Sequence, residues 1–284
     1  MAKRNMLIWG DADAGKSTFA ATMMDLKRDK AGAVAGPARW PRVDWFNLDK
    51  PGKGSIAQYF GEGSQARFIE VPPGDWRPLA AAMAESTRRA KRGDIDAIVV
   101  EGLSVYYSND AGLAALENPD AVTAGGNHSR ALYKAPRQRL DAILAGAFTA
   151  SAVAKSDDFL LVLTAHAKEV GDGEQRKVVP DVSRNVWRHF VRLCEVVLEL
   201  NRHPGRPPTL TYKRKEDDLV LARVNTPGAL AFLDKIHAAR DEAQISKMRT
   251  IPGLVALLDH AERKAQDDAA RGAQPADAAT TTST

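Results

Sequence analysis

Residues 6–18 read Met6-Leu7-Ile8-Trp9-Gly10-Asp11-Ala12-Asp13-Ala14-Gly15-Lys16-Ser17-Thr18. The first four are apolar and run into a glycine, the pattern of a short buried strand. Gly10 to Ser17 then satisfies G-x-x-x-x-G-K-[ST] at every defined position. The spacing has a physical basis. A strand delivers the chain, and glycines allow a tight turn that exposes backbone N–H groups. The following helix points its positive end at bound phosphate. The stretch therefore predicts a loop that holds Mg·ATP through Gly10, Asp11, Ala12, Asp13, Ala14, Gly15, Lys16, Ser17 and Thr18. Lys16 is assigned to the β- and γ-phosphates, Ser17 to Mg²⁺ and Thr18 to the α-phosphate. Asp11 and Asp13 place carboxylates in an anion-binding loop, so their side chains must point outward.

The periodicity predicts alternating strands and helices. A helix follows the loop through Phe19, Met23, Met24 and Leu26, and fades near Lys30 to Gly32. Val43–Leu48 and Arg67–Val71 read as strands, with Pro51, Gly52 and Gly54 as breakers between them. Trp76–Arg92 reads as a helix with Asp75 as its N-cap. Ala97–Val100 is short, apolar and β-branched, the signature of a central parallel strand. Residues 116–129 read as a mobile loop, and Pro136 opens a helix to about Ala154. Phe159–Thr164 is a strand ending at His166, with a turn at Gly171–Gly173. Arg184–Leu193 reads as a helix and Val196–Leu200 as a strand. Leu210–Lys213 and Leu219–Val224 form a hairpin around Glu216-Asp217-Asp218. One helix covers Pro227 to Ser246, and another covers Val255–Lys264. The expected fold is α/β: a mostly parallel sheet with helices on both faces and an antiparallel hairpin at one edge. Residues 1–247 would form the nucleotide-binding domain and 248–265 a C-terminal helix. Residues 266–284 are almost free of large apolar side chains and read as a disordered tail.

A P-loop needs an acidic partner at the end of a neighbouring strand to position the metal or its water. Glu101, closing Ile98-Val99-Val100, is that candidate, and with Ser17 it makes the expected metal pair. Gly102 follows it, so a catalytic base must come from elsewhere. Asp49, ending Val43–Leu48, is the choice, with Glu70 behind it. Thr164 and His166 end a strand where ligands gather in parallel sheets, so His166 is a candidate sensor of the γ-phosphate, with Lys168 as a second contact. The expected catalytic set is Lys16, Glu101, Asp49 and His166. Each acid also reads as a strand-end carboxylate, and His166 as a loop histidine.

Arg130, Lys134, Arg137 and Arg139 flank the expected mobile loop. Arg202, His203, Arg206, Lys213, Arg214 and Lys215 cluster later. Three uses fit: a track for a nucleic-acid backbone, a cationic finger for the next subunit's site, or a solvated surface. Tyr106, Tyr107 and Tyr133 read as base-stacking residues or as the edge of a core.

Lys and Arg total 40 against 36 for Asp and Glu, an excess too small to argue for nucleic acid by itself. A single cysteine, Cys194, excludes an intramolecular disulfide. No apolar run reaches the ~18 residues of a membrane helix. The expectation is a soluble cytoplasmic protein.

Four segments in order, MLIWGDADAGKST, DAIVVEGLSVYY, FLLVLTAHAKE and CEVVLELN followed by TYKRK, resemble the RecA-like P-loop ATPases carried by bacteriophages. These are compact relatives of RecA and RadA. The similarity spans about Asn5 to Thr226, and only the P-loop within it is highly specific. It implies a DNA-dependent ATPase in phage recombination, replication or repair, working with ATP and Mg²⁺ on single-stranded DNA as a homo-oligomer. It also implies a finger among Lys213, Arg214 and Lys215. The family's second motif has Asp-Ser where this chain has Glu101-Gly102. Its acidic pair after the second strand is reduced to Asp49. Those departures leave open an ATP-gated module that binds or anneals single-stranded DNA with weak hydrolysis. A P-loop kinase of a small molecule is a third reading.

Overall fold

The computed structural model describes residues 3–25, 27–28, 34–49, 54–60, 64–71, 76–117, 134–170, 177–182, 184–201, 208–216, 219–226 and 228–272. The strands are β1 Arg4–Gly10, β2 Lys27–Arg28, β3 Val34–Gly36, β4 Val43–Asn47, β5 Arg67–Glu70, β6 Ala97–Glu101, β7 Leu160–Val170, β8 Lys177–Pro180, β9 Val196–Asn201, β10 Thr209–Thr211, β11 Arg214–Glu216 and β12 Leu219–Val224. The helices are α1 Lys16–Ala21, α2 Trp76–Arg92, α3 Leu103–Glu117, α4 Lys134–Val153, α5 Arg184–Leu193, α6 Ala229–Ala238, α7 Glu242–Lys247 and α8 Ile251–Gly272. Single-turn 3₁₀ stretches cover Thr22–Met24 and a longer one covers Gly54–Phe60.

The main sheet runs β11-β12-β9-β1-β7-β6-β4-β5. From β9 to β5 every neighbouring pair is parallel. The antiparallel additions are β10 and β12 against β9, β11 against β12, and β8 against the far end of β7. The P-loop strand β1 is thus separated from the Glu101 strand β6 by β7 alone. This is the α/β arrangement expected from the sequence, a mostly parallel sheet with antiparallel strands at its edge.

Strand alternation sorts the core into two layers. Leu7, Trp9, Ile98, Val100, Leu161 and Leu163 face one side and pack on α2 to α5 through Leu79, Leu103, Leu140 and Trp187. Met6, Ile8, Val43, Trp45, Val99 and Val162 face the other and pack on Phe19, Leu233, Leu254 and Leu258. Both faces are covered, which is why the central strands read as unbroken apolar runs.

Several elements depart from the sequence reading. Helix α1 stops at Ala21, because Thr22 donates to the Phe19 carbonyl and accepts from the Ile251 N–H, turning the chain toward α8. Helix α3 was not legible: Ser, Asn, Asp and Gly weaken its propensity, but Leu103, Tyr106, Tyr107 and Ala111 bury against the sheet. Strand β7 does not end at His166. It runs on to Val170, because residues 167–170 find an antiparallel partner in β8. The closing hairpin is β11–β12, while Thr209–Thr211 pairs separately with β9. The single helix expected over 227–246 is two, broken at Arg240, where φ is 51°, and restarted at Asp241, whose carboxylate caps Gln244 N–H. The last helix extends to Gly272, so residues 266–272 are helical rather than tail, carried by Ala, Gln and Arg, which favour helix. The readings placed on Pro51, Gly52, Asp75, Gly171–Gly173, Asp217, Asp218, Pro227, most of the 116–129 loop and residues 273–284 lie outside the described residues.

Helix α8 is bound to the domain through charge as well as apolar contact. Arg4, at the start of β1, is buried and donates to Asp259 at 2.7 Å, Glu262 at 3.1 Å and Thr226 at 3.0 Å. Arg39 bridges Asp158 at 2.8 Å and Asp259 at 3.0 Å. Burial alone would raise the Asp259 carboxyl, but the hydrogen bonds from Arg4 and Arg39 outweigh it and hold it below its ordinary value. Asp259→Ala removes one carboxylate from both Arg4 and Arg39, which keep Glu262, Thr226 and Asp158, and is expected to cost about 1–3 kcal/mol in a denaturant titration. A depressed carboxyl contributes stability above its unfolded pKa, about 3.9, and loses it as pH falls through the lower folded value. The gap between parent and Asp259→Ala should therefore be full at neutral pH and close on strong acidification.

Candidate functional site

The parallel register brings the carboxyl ends of β1, β9, β7, β6 and β4 to one edge. Gly10 lies opposite His166 on one side and Leu200 on the other, and Asn47 lies opposite Glu101. At Gly10 a Cβ would meet the Leu200 carbonyl oxygen at 2.1 Å, so only glycine lets β1 and β9 stay paired where the loop begins. Asp11, Ala12 and Asp13 are exposed and Ala14 is buried. The outward placement required of the aspartates is what the loop adopts.

Lys16 begins α1 and is 5% exposed. Its Nζ donates back across the loop to the carbonyls of Gly10 at 3.0 Å and Asp11 at 2.5 Å. Burial pushes its pKa down to about 8, against the attraction of Asp49, Asp11, Glu101 and Asp13. Ser17 Oγ donates to Glu101 Oε1. The other oxygen, Oε2, accepts from Trp45 Nε1 at 2.8 Å.

Asp49 and His166, assigned separately from the sequence, are hydrogen-bonded to each other at 2.8 Å. A carboxylate can only accept, so His166 Nε2 carries the proton between them. Gly102, next to Glu101 in the chain, makes room for Asp49. It sits at φ +86°, and a Cβ there would fall 2.8 Å from the Asp49 backbone nitrogen and Cβ. The glycine that stands in the second motif is the space into which Asp49 packs. The turn after β6 is then stitched to β7: Gly102 N–H donates to Thr164 Oγ1 at 3.1 Å, and His166 N–H donates to Ser104 Oγ at 2.9 Å.

Other sequence candidates sit elsewhere. Thr164 is 1% exposed and spends its hydroxyl on Gly102, which is a structural contact rather than a phosphate sensor. Lys168 pairs with Asp181 at 2.9 Å. Glu70 ends β5, beyond β4 from Glu101. Arg214 is bound within its own chain, to Glu199 and to the Val178 carbonyl at 3.2 Å. Lys213 and Lys215 are the exposed members of the finger trio, Lys213 lying 3.9 Å from Asp234. Tyr106 and Tyr107 are buried in the core rather than offered to bases, and Arg139 is tied to Asp110 at 2.7 Å. Arg130, Tyr133, Arg202, His203 and Arg206 lie outside the described residues. The reading from sequence missed Trp45, Gly102 and Ser104, which act through the strand register and carry no motif of their own.

The donor chemistry suits Mg·nucleotide. Lys16 is a cation held by carbonyls that phosphate oxygens can replace. A serine hydroxyl and one carboxylate meet beside it, and Mg²⁺ at phosphate sites takes few protein oxygens and completes its shell with phosphate and water. Among the described residues no group of three or more His, Cys, Asp or Glu is placed to hold a metal ion.

No family model and no curated protein matches the chain. Among solved structures it is similar to the flagellar accessory protein FlaH from Methanocaldococcus jannaschii, at 13% identity over 78% of this chain and 80% of that one, with a TM-score of 0.42. It is also similar to the RadB recombinase, at 14% identity over 78% and 84%, with a TM-score of 0.44. At these scores the fold rests on the strand order, not on the likeness. No described helix is long and apolar enough to cross a membrane.

A lysine with a pKa near 8 makes phosphate affinity depend on pH. Below that value Lys16 is charged before binding; above it, binding must first take up a proton. Nucleotide affinity is expected to be flat up to about pH 8 and then to fall by up to about tenfold per unit. Calorimetry in buffers of different ionisation enthalpy should show proton uptake only on the alkaline side.

Proposed function

We propose that this chain is a Mg²⁺-dependent ATP-binding P-loop ATPase of the RecA-like type. The observation that carries the reading is the meeting of Ser17 and Glu101 beside Lys16, with the Asp49–His166 pair on the same strand-end edge. The loop N–H groups and Lys16 hold the phosphates. Ser17 and Glu101 would hold Mg²⁺, which would neutralise phosphate charge when bound. Asp49 accepts a proton from a water as the water oxygen bonds to the γ-phosphorus. The bond from that phosphorus to the β–γ bridging oxygen breaks, leaving ADP and phosphate. His166 fixes the Asp49 carboxylate from one side, and its position opposite Gly10 supports a role as sensor of the γ-phosphate.

The finer reading is ATP hydrolysis stimulated by single-stranded DNA, in phage recombination, replication or repair, by an assembly of several copies in the host cytoplasm. It rests on the resemblance in sequence and on the exposed cations Lys134, Arg137, Lys213 and Lys215. Lys213 or Lys215 would serve the neighbouring copy's site.

ATP binding, turnover and mass in solution, each with and without single-stranded DNA, test both levels. Lys16→Ala is expected to abolish binding; binding at the parent's affinity overturns the reading. Asp49→Asn is expected to keep ATP binding and lose about 10²-fold or more in turnover. ATP bound without turnover under any condition favours the ATP-gated DNA-binding module instead. Turnover indifferent to DNA removes the finer reading and leaves the ATPase.

A further inference from the structure

We propose that Trp45 is the positioning residue for Glu101, and that it is what allows a glutamate to serve as the metal-side acid of this site. The inference rests on the ATPase reading above.

The register explains the contact. Trp45 lies opposite Val99, and Glu101 is two residues further along β6. Side chains two apart on a strand share a face, so Trp45 and Glu101 are diagonal neighbours on one side of the sheet, within reach of long side chains. That side is the one covered by α1, which carries Ser17. The indole is fully buried, and the Phe60 ring meets it edge-on at 5.8 Å, with Phe68 behind Phe60 at 5.0 Å. The ring is therefore held by packing, and its one N–H has a fixed direction. It donates to Glu101 Oε2 at 2.8 Å while Oε1 faces Ser17.

A glutamate has one more rotatable bond than an aspartate at the same strand end. Left alone, its carboxylate would sample several rotamers and present a metal oxygen only part of the time. An indole N–H on one oxygen selects the rotamer that aims the other at the Ser17 hydroxyl. Partners of this kind, behind a metal ligand, commonly change metal affinity by 10–100-fold when removed.

The test is a double-mutant cycle on Trp45→Phe and Glu101→Asp. Mn²⁺ affinity is read by electron paramagnetic resonance with a saturating non-hydrolysable ATP analogue. Trp45→Phe keeps the ring and removes the N–H. It is expected to weaken Mn²⁺ about tenfold, with metal-free analogue affinity unchanged. In the Glu101→Asp background, where the shorter side chain does not reach the indole, Trp45→Phe should add less than about twofold. Equal losses in both backgrounds, or no loss in the parent, overturn the proposal. A second measurement needs neither a folded Trp45 variant nor a nucleotide. With ¹⁵N-labelled tryptophan, one of the five indole N–H resonances is expected to shift and exchange faster in Glu101→Asp. Five unmoved resonances sink the pairing, whatever the chain does with ATP.

Discussion

In a parallel sheet every strand delivers its carboxyl end to the same edge, and the chemistry of this protein depends on that constraint. Gly10, Asn201, Glu101 and Asp49 come from widely separated stretches of chain, yet each closes or follows a strand within one run, β9-β1-β7-β6-β4, and His166 lies within β7 opposite Gly10. Moving any strand by one residue would turn its side chains to the opposite face. Gly10 beside Leu200 and Gly102 beside Asp49 are the places where the edge is packed too closely for a Cβ. They hold the register where the site needs it.

The site that results is rich in negative charge. Asp49, Asp11, Glu101 and Asp13 all act on the buried ammonium of Lys16. Such a cluster repels phosphate unless cations accompany it, which is consistent with the Mg²⁺-dependent reading proposed above. The same reasoning accounts for the exposure of Asp11 and Asp13, where water screens them. Glu101, by contrast, is held at both oxygens, by a loop hydroxyl and by a buried indole.

Around the site the fold spends its ion pairs on anchoring. Arg4 and Arg39 join β1, the segment before β4 and the segment before β7 to α8 through Asp158 and Asp259. Arg214 ties the β11–β12 hairpin to β9 and to β8 through Glu199 and Val178. Since β8 pairs with the continuation of β7 beyond His166, the edge hairpin and the strand carrying His166 form one connected rim.

The sequence by itself determined the P-loop, the α/β class, the central strands and the four residues Lys16, Glu101, Asp49 and His166 as separate candidates. It could do so because a P-loop is a local motif and because strands buried on both faces must be apolar runs. Boundaries were less legible where tertiary contacts overrode propensity, as at Thr22, in α3 and along β7. What only the tertiary structure decided was partnership: that Asp49 bonds His166, that Trp45 holds Glu101, that Gly102 makes room for Asp49, and that Arg214 is held within its own chain. These depend on which strands lie side by side and in what register, and residues 45 and 101 or 49 and 166 have no local relation in the chain through which that could be read.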